Sequence, residues 1–174
     1  MLKRLVEYAG KVPSAQNLQP LRYVISNTSN INRNIFDCLK WAGYLSDWDG
    51  PEVGERPVSY IIVCADTSVP RITNMVWCDA GIACQTMLLN AVNNGYGGCI
   101  LASFDKNSIS QMLGLETMYE PLLIIALGRP NETIVLNTVE EDGSTRYYRD
   151  QAGTHYVPKH CMDDIPLTIF EDKK

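Results

Sequence analysis

Val12-Pro13-Ser14-Ala15-Gln16-Asn17-Leu18-Gln19-Pro20 is the stretch on which the reading of this chain turns. Pro13 stops the amphipathic segment before it, and Pro20 biases Gln19 toward extended backbone. Between the two prolines lie the hydroxyl of Ser14 and the carboxamides of Gln16, Asn17 and Gln19. The pattern predicts a short polar loop between a helix and a strand. There, Ser and Asn side chains and free backbone N–H groups can converge on a ligand. A capped turn with no ligand is the plainer alternative that these residues leave open.

Upstream, Leu2, Leu5, Val6 and Ala9 recur at helical spacing, with Gly10 as the stop. Downstream, Leu21 to Ser26 reads as a short strand. Asn30 can cap a helix to about Trp41, with Ile31, Ile35, Cys38, Leu39 and Ala42 toward the core. Val58 to Ala65 and Pro121 to Gly128 are continuous apolar runs, the pattern of strands covered on both faces. Trp77 to Asn94 is the longest helix. Its polar residues Asp79, Thr86, Asn90 and Asn93 make one narrow stripe, so burial on most sides is expected. Gly95 suits the C′ position of that helix, and Asp105 and Gly114 bracket a shorter one. The polar stretch from Glu132 to Gly153 reads as loop or hairpin. The final Ile165-Pro166-Leu167-Thr168-Ile169-Phe170 is too apolar to be left uncovered.

Composition bounds the function. A chain of 174 residues suits one domain with a full core. A net charge of −5 argues against a nucleic-acid or anionic-membrane surface, and no apolar run approaches the ~20 residues of a membrane span. Met1 to Glu7 lacks the apolar core of a signal peptide, which makes a cytoplasmic location the expectation. The cysteines, Cys38, Cys64, Cys78, Cys84, Cys99 and Cys161, show no C-x-x-C spacing and no histidine at ligand spacing. Inert reduced thiols and no metal site are expected.

Two further segments bear on chemistry. Trp41, Tyr44 and Trp48 are large aromatics in a Gly- and Asp-rich stretch. They suit either a flat apolar wall over a cofactor ring or simple core filling. In Gly95-Tyr96-Gly97-Gly98-Cys99-Ile100-Leu101-Ala102-Ser103, the glycines permit close backbone approach, and the small Ala102 and Ser103 leave main-chain N–H groups open.

Pro13-Ser14-Ala15-x-Asn17-x-Gln19-Pro20 before an apolar strand resembles the signature of the nitroreductase family of FMN-dependent oxidoreductases. Trp41-Ala42-Gly43-Tyr44 with Gly54-Glu55-Arg56-Pro57 resembles a short-chain subgroup. Asp79-Ala80-Gly81-Ile82-Ala83-Cys84-Gln85 resembles the family's central helix at the dimer interface, and Leu127-Gly128-Arg129-Pro130 its last core strand. Related sequences carry Val-Pro-Lys-Arg where this one has Val157-Pro158-Lys159-His160, so Lys159 keeps the match and His160 departs from it.

The resemblance implies an α+β, nitroreductase-like fold: a mixed, mainly antiparallel sheet of about four strands flanked by helices, in an entwined homodimer. It implies a single domain over residues 1–174, with a tail from about 155 packing on the partner subunit. FMN would lie between subunits, with Pro13, Ser14, Ala15, Asn17 and Gln19 holding the flavin of the partner. A backbone N–H of Leu101, Ala102 or Ser103 would address flavin N5, while Lys159 and His160 met the phosphate. NADH or NADPH would be the reductant, and a small molecule such as a nitroaromatic or quinone the acceptor. No side-chain nucleophile is needed.

Many family members carry an Arg-rich segment that grips the phosphate ahead of the first helix, and these 174 residues contain none. The expectation is therefore either a truncated chain or phosphate binding elsewhere. The alternative reading is a flavin-binding or flavin-free relative without turnover. A thiol enzyme using Cys78, Cys84 or Cys99 is a further rival.

Overall fold

The computed structural model describes residues 1–170, so the last four residues of the expected tail, 171–174, lie outside the described residues. The chain forms two compact units. The first comprises Met1–Trp41 with Trp48–Pro130, and the second Ala42–Asp47 with Asn131–Lys174.

The first unit is built on two largely apolar strands. β2 (Ser59–Asp66) is buried at every residue, and β4 (Tyr119–Gly128) from Pro121 to Leu127. β1 (Leu21–Ser26) and β3 (Gly97–Leu101) flank them, giving the antiparallel order β1-β2-β4-β3. Because side chains alternate along a strand, β2 feeds two cores. Ile61, Val63 and Ala65 meet Leu5 and Ala9 of α1 (Leu2–Ala9) and Ala80, Ala83, Cys84, Met87 and Ala91 of α3 (Val76–Asn93). Tyr60, Ile62 and Cys64 meet Ile35 of α2 (Ser29–Asp37) and Ile109 of α4 (Lys106–Leu113). The β2–β4 register slips between Val63↔Leu123 and Cys64↔Pro121. Leu122 is the extra residue, so it joins its neighbour Leu123 in the α1/α3 core. Pro121, which has no N–H to give, sits at this irregularity.

The expected elements recur with informative differences. α3 ends with Gly95 at φ 77, its N–H on the Val92 carbonyl and that of Tyr96 on Ala91, the paired bonds of a glycine-terminated helix. The Asp105 carboxylate accepts from the Asn107 and Ser108 N–H groups to cap α4, and Gly114 at φ 60 closes it. α2, however, ends at Asp37 rather than near Trp41. The chain turns extended there because Leu39 bridges Phe104 and the Lys40 N–H donates to the Ser103 carbonyl. Its buried face is also rotated. Ile31 is exposed and Asn32 buried, since the Asn32 carboxamide accepts from Ser26 Oγ and donates to the Val58 carbonyl at 2.7 Å.

α3 differs most from expectation. Asp79, placed by pattern on the polar stripe, is 3% exposed. The outward stripe is instead Cys78, Ile82, Gln85, Leu89 and Val92, spaced four, three, four and three apart, with Leu89 61% and Val92 64% exposed. This is the a/d spacing of a helix that packs along a second helix.

In the second unit, β5 (Ile134–Thr138) and β6 (Tyr148–Arg149) both pair with β7 (His155–Lys159), in the order β5-β7-β6. The β5–β7 pair is parallel, so the polar stretch, expected as loop or hairpin, forms no hairpin: its two strands are separated by the third. Ile165, Leu167, Ile169 and Phe170 are all exposed, Phe170 at 94%.

No helix among the described residues is long and apolar enough to cross a membrane. Gly98 is needed where β3 meets α3 and β4. A Cβ there would stand 2.7 Å from the Ala126 carbonyl oxygen and 2.8 Å from both Leu88 Cδ2 and Leu127 Cδ2. Gly98→Ala is expected to lower the unfolding free energy by about 1–3 kcal/mol, as overpacked cores do, measured by chemical denaturation.

Candidate functional site

The loop before β1 is short, polar and strained. Ser14 is extended, Ala15–Asn17 makes one tight turn, and Gln16, Asn17 and Gln19 take φ of 52, 55 and 49°. Left-handed backbone costs a non-glycine residue about 1–2 kcal/mol, so neighbouring bonds must hold it. Ser14 Oγ accepts the Gln19 N–H at 3.0 Å, and Gln19 Nε2 donates to Asn17 Oδ1 at 3.2 Å. From outside the loop, Asp79 Oδ1 of α3 accepts the Ala15 N–H at 2.9 Å. Asn17 and Gln19 face solvent, while Ser14 and Ala15 are half-buried.

Arg22 is the residue that sequence reasoning missed here. One of its terminal nitrogens donates to the Gln19 and Leu21 carbonyls, both at 3.0 Å, and the other meets Asp66 Oδ2 at 2.8 Å. Asp66 Oδ1 accepts in turn from the Ser68 hydroxyl and N–H. The Ser68 hydroxyl, and then the Ser68 N–H and Arg22, hold the Asp66 carboxyl below its ordinary range against the opposing pull of desolvation. An arginine at the second residue of an apolar strand, and an aspartate closing the apolar run opposite it, were the available signals.

Leu101 ends β3 buried, and Ala102 and Ser103 follow it exposed. The Ser103 carbonyl accepts from the Lys40 N–H, but the Ala102 and Ser103 N–H groups have no hydrogen-bond partner among the described residues. They are two adjacent donors open to a ligand. β3 runs toward the sheet end at which β1 begins, because Leu21 pairs with Ala65 at the end of β2, and Asp66 with Tyr119 at the start of β4. β3 leaves the sheet short of that end, since Leu101 pairs with Ile124, Ile124 with Ile62 and Ile62 with Val24, and the loop and the β3 exit lie on opposite edges. Three strand spacings of about 4.8 Å put them about 14 Å apart across the sheet, and the offset along the strands adds to this. Within one chain they cannot both hydrogen-bond the same atom.

The other expected site residues fall into two groups. Trp41 and Trp48 pack edge-on, ring centroids 6.5 Å apart, with Trp41 also against Phe36 at 5.4 Å. A Cβ on Gly50 would stand 2.6 Å from Trp41 Cδ1, so that glycine makes room for the indole. Tyr44 belongs to the second unit, where it packs against Tyr147 at 5.0 Å and its N–H donates to the Tyr147 hydroxyl. Lys159 ends β7, and His160 follows it; both are exposed. Burial pushes the Cys84 thiol up to about 12 and the Cys64 thiol up to about 11, which disfavours a thiolate at either.

The fold is that of the nitroreductase-like proteins. A solved FMN-dependent nitroreductase from Clostridium difficile R20291 superposes with a TM-score of 0.61, at 20% identity over 75% of this chain and 75% of that one. A nitroreductase family protein from Streptococcus pneumoniae TIGR4 gives 0.61, at 18% identity over 76% and 80%. Another, from Clostridium novyi NT, gives 0.60, at 15% identity over 95% and 86%. Residues 53–129 match the model of the nitroreductase family. Leu101, Ala102 and Ser103 lie inside the matched segment; the loop from Pro13 to Gln19, and Lys159 with His160, lie outside it.

The fold favours the ionised form of Asp66, so the stability that this carboxylate contributes is complete above about pH 4, the ordinary carboxylate value. It is lost as the pH falls through the lowered value. Asp66→Asn is expected to show a smaller loss of stability between pH 5 and pH 2 than the wild type, measured by urea unfolding across that range.

Proposed function

We propose that this protein is an FMN-dependent oxidoreductase that takes electrons from NADH or NADPH and delivers them to a small acceptor such as a nitroaromatic or a quinone. The observation that carries the reading is the pair of open N–H groups at Ala102 and Ser103, inside the segment that matches the family. Adjacent backbone donors suit the acceptor edge of a flavin ring, and the exposed carboxamides of Asn17 and Gln19 suit its polar substituents. When bound, FMN supplies the hydride chemistry. The chain's own residues hold and orient it: Ser14, Asn17 and Gln19 from the loop with Pro13 and Ala15 shaping it, Ala102 and Ser103 at the ring edge after Leu101, Lys159 and His160 at the phosphate. Trp41, Tyr44 and Trp48 would contribute apolar surface at the acceptor pocket.

The working form we propose is a homodimer. Supporting this, the outward face of α3 is largely apolar at a/d spacing, and the tail from Ile165 to Phe170 is uncovered in the single chain. The separation of loop and β3 exit, about 14 Å across the sheet before any offset along it, fits a site that takes one group from each of two chains.

The visible spectrum of the purified protein, recorded anaerobically before and after NADH and then NADPH, tests the reading. Flavin bands that bleach support it. Bands that persist would make this a flavin binder without turnover, and a colourless protein that FMN cannot reconstitute would remove the flavin altogether. Asn17→Ala is expected to weaken FMN binding about tenfold, the effect of one lost hydrogen bond of about 1.4 kcal/mol, measured by fluorescence titration of the apoprotein.

A further inference from the structure

We propose that Asp79 is a positioning residue for the cofactor loop: it fixes the loop before β1 in the conformation that presents Asn17 and Gln19, a role that rests on the flavin reading above. Most of the bonds that shape this loop move with it, because Ser14, Asn17 and Gln19 bond to one another. Such bonds give the loop a shape but do not fasten it. Arg22 grips its far end, through the Gln19 carbonyl. Its near end is held by Asp79, which lies 64 residues away in sequence and accepts the Ala15 N–H at 2.9 Å. That bond falls between extended Ser14 and left-handed Gln16 and Asn17, where the backbone reverses.

Asp79 is suited to the task. Its carboxylate is almost wholly buried in the first turn of α3, where the helix dipole favours a negative charge. A charged acceptor on a backbone N–H makes a stronger bond than a neutral one, and α3 is packed into the α1/α3 core, so the anchor does not move with the loop. Without it, Gln16 and Asn17 are free to leave their strained backbone, and the Asn17 carboxamide no longer has a fixed place. Its part is geometric, through the Ala15 N–H, and it need not touch the cofactor.

The test pairs FMN titration of the apoprotein with amide hydrogen exchange. Asp79→Ala is expected to weaken FMN binding about tenfold to a hundredfold, the effect of a lost charge-assisted bond. It should also speed exchange from Ala15 to Gln19 while β2 and β4 stay protected. Asp79→Asn, which keeps an acceptor oxygen in place, should recover most of both. Ala15→Pro removes the donor without touching the core, since Ser14 at ψ 155° already suits a following proline. It should weaken FMN binding to a similar degree, and it serves as the test if Asp79→Ala does not fold. Wild-type affinity in both Asp79→Ala and Ala15→Pro would overturn the proposal. Wild-type protein that binds no FMN sinks the flavin reading itself and the proposal with it. Loop exchange in Asp79→Ala then still reports whether the anchor exists: unchanged exchange denies even that.

Discussion

Everything in the first unit depends on the pairing of β2 with β4. Every residue of β2 is buried, so neither strand can turn a polar face to water, and their backbone groups must find partners in the sheet. That requirement forces a helical layer onto each side and leaves only the outer strands free to vary. β1 and β3 are those outer strands, and the two segments proposed to hold the cofactor adjoin the start of one and the end of the other. The core thus sets where the site lies, and its buried Asp66 and Asp79 brace the loop.

Much of this was legible because it is local. The apolar runs at Val58 to Ala65 and Pro121 to Gly128, the glycine that closes α3 and the aspartate that caps α4 act through bonds a few residues long. What the sequence hid was set by distant partners. Asn32 is buried because Ser26 and the Val58 carbonyl satisfy it, and no helical periodicity contains that fact. Asp79 sits among the polar residues of α3 by pattern but is inside because Ala15 comes to it. Gly98 read as a place of close backbone approach, and what comes close to it is Leu88, Ala126 and Leu127 of the chain itself. The order β5-β7-β6 needs a parallel pair that local turn signals do not announce.

The candidate site divides the same way. Its loop stood out by composition alone, and the open N–H groups after Leu101 were foreseen from small residues. Arg22 and Asp66, which brace the loop from below, were passed over because each looks ordinary alone. Their meaning lies in the antiparallel register, which brings the start of β1 beside the end of β2. Trp41, Tyr44 and Trp48 form one cluster in sequence but are divided between the two units, the tryptophans in one and Tyr44 in the other.

The separation of the loop from the β3 exit bears on how the protein would behave when scarce. If each cofactor must be held by two chains at once, its retention depends on association as well as on the affinity of either half. Dilution would then release both subunit and flavin, and the holoprotein would assemble more steeply than in proportion to the amount of chain present. A cell would obtain activity above a threshold of expression rather than in simple proportion to it.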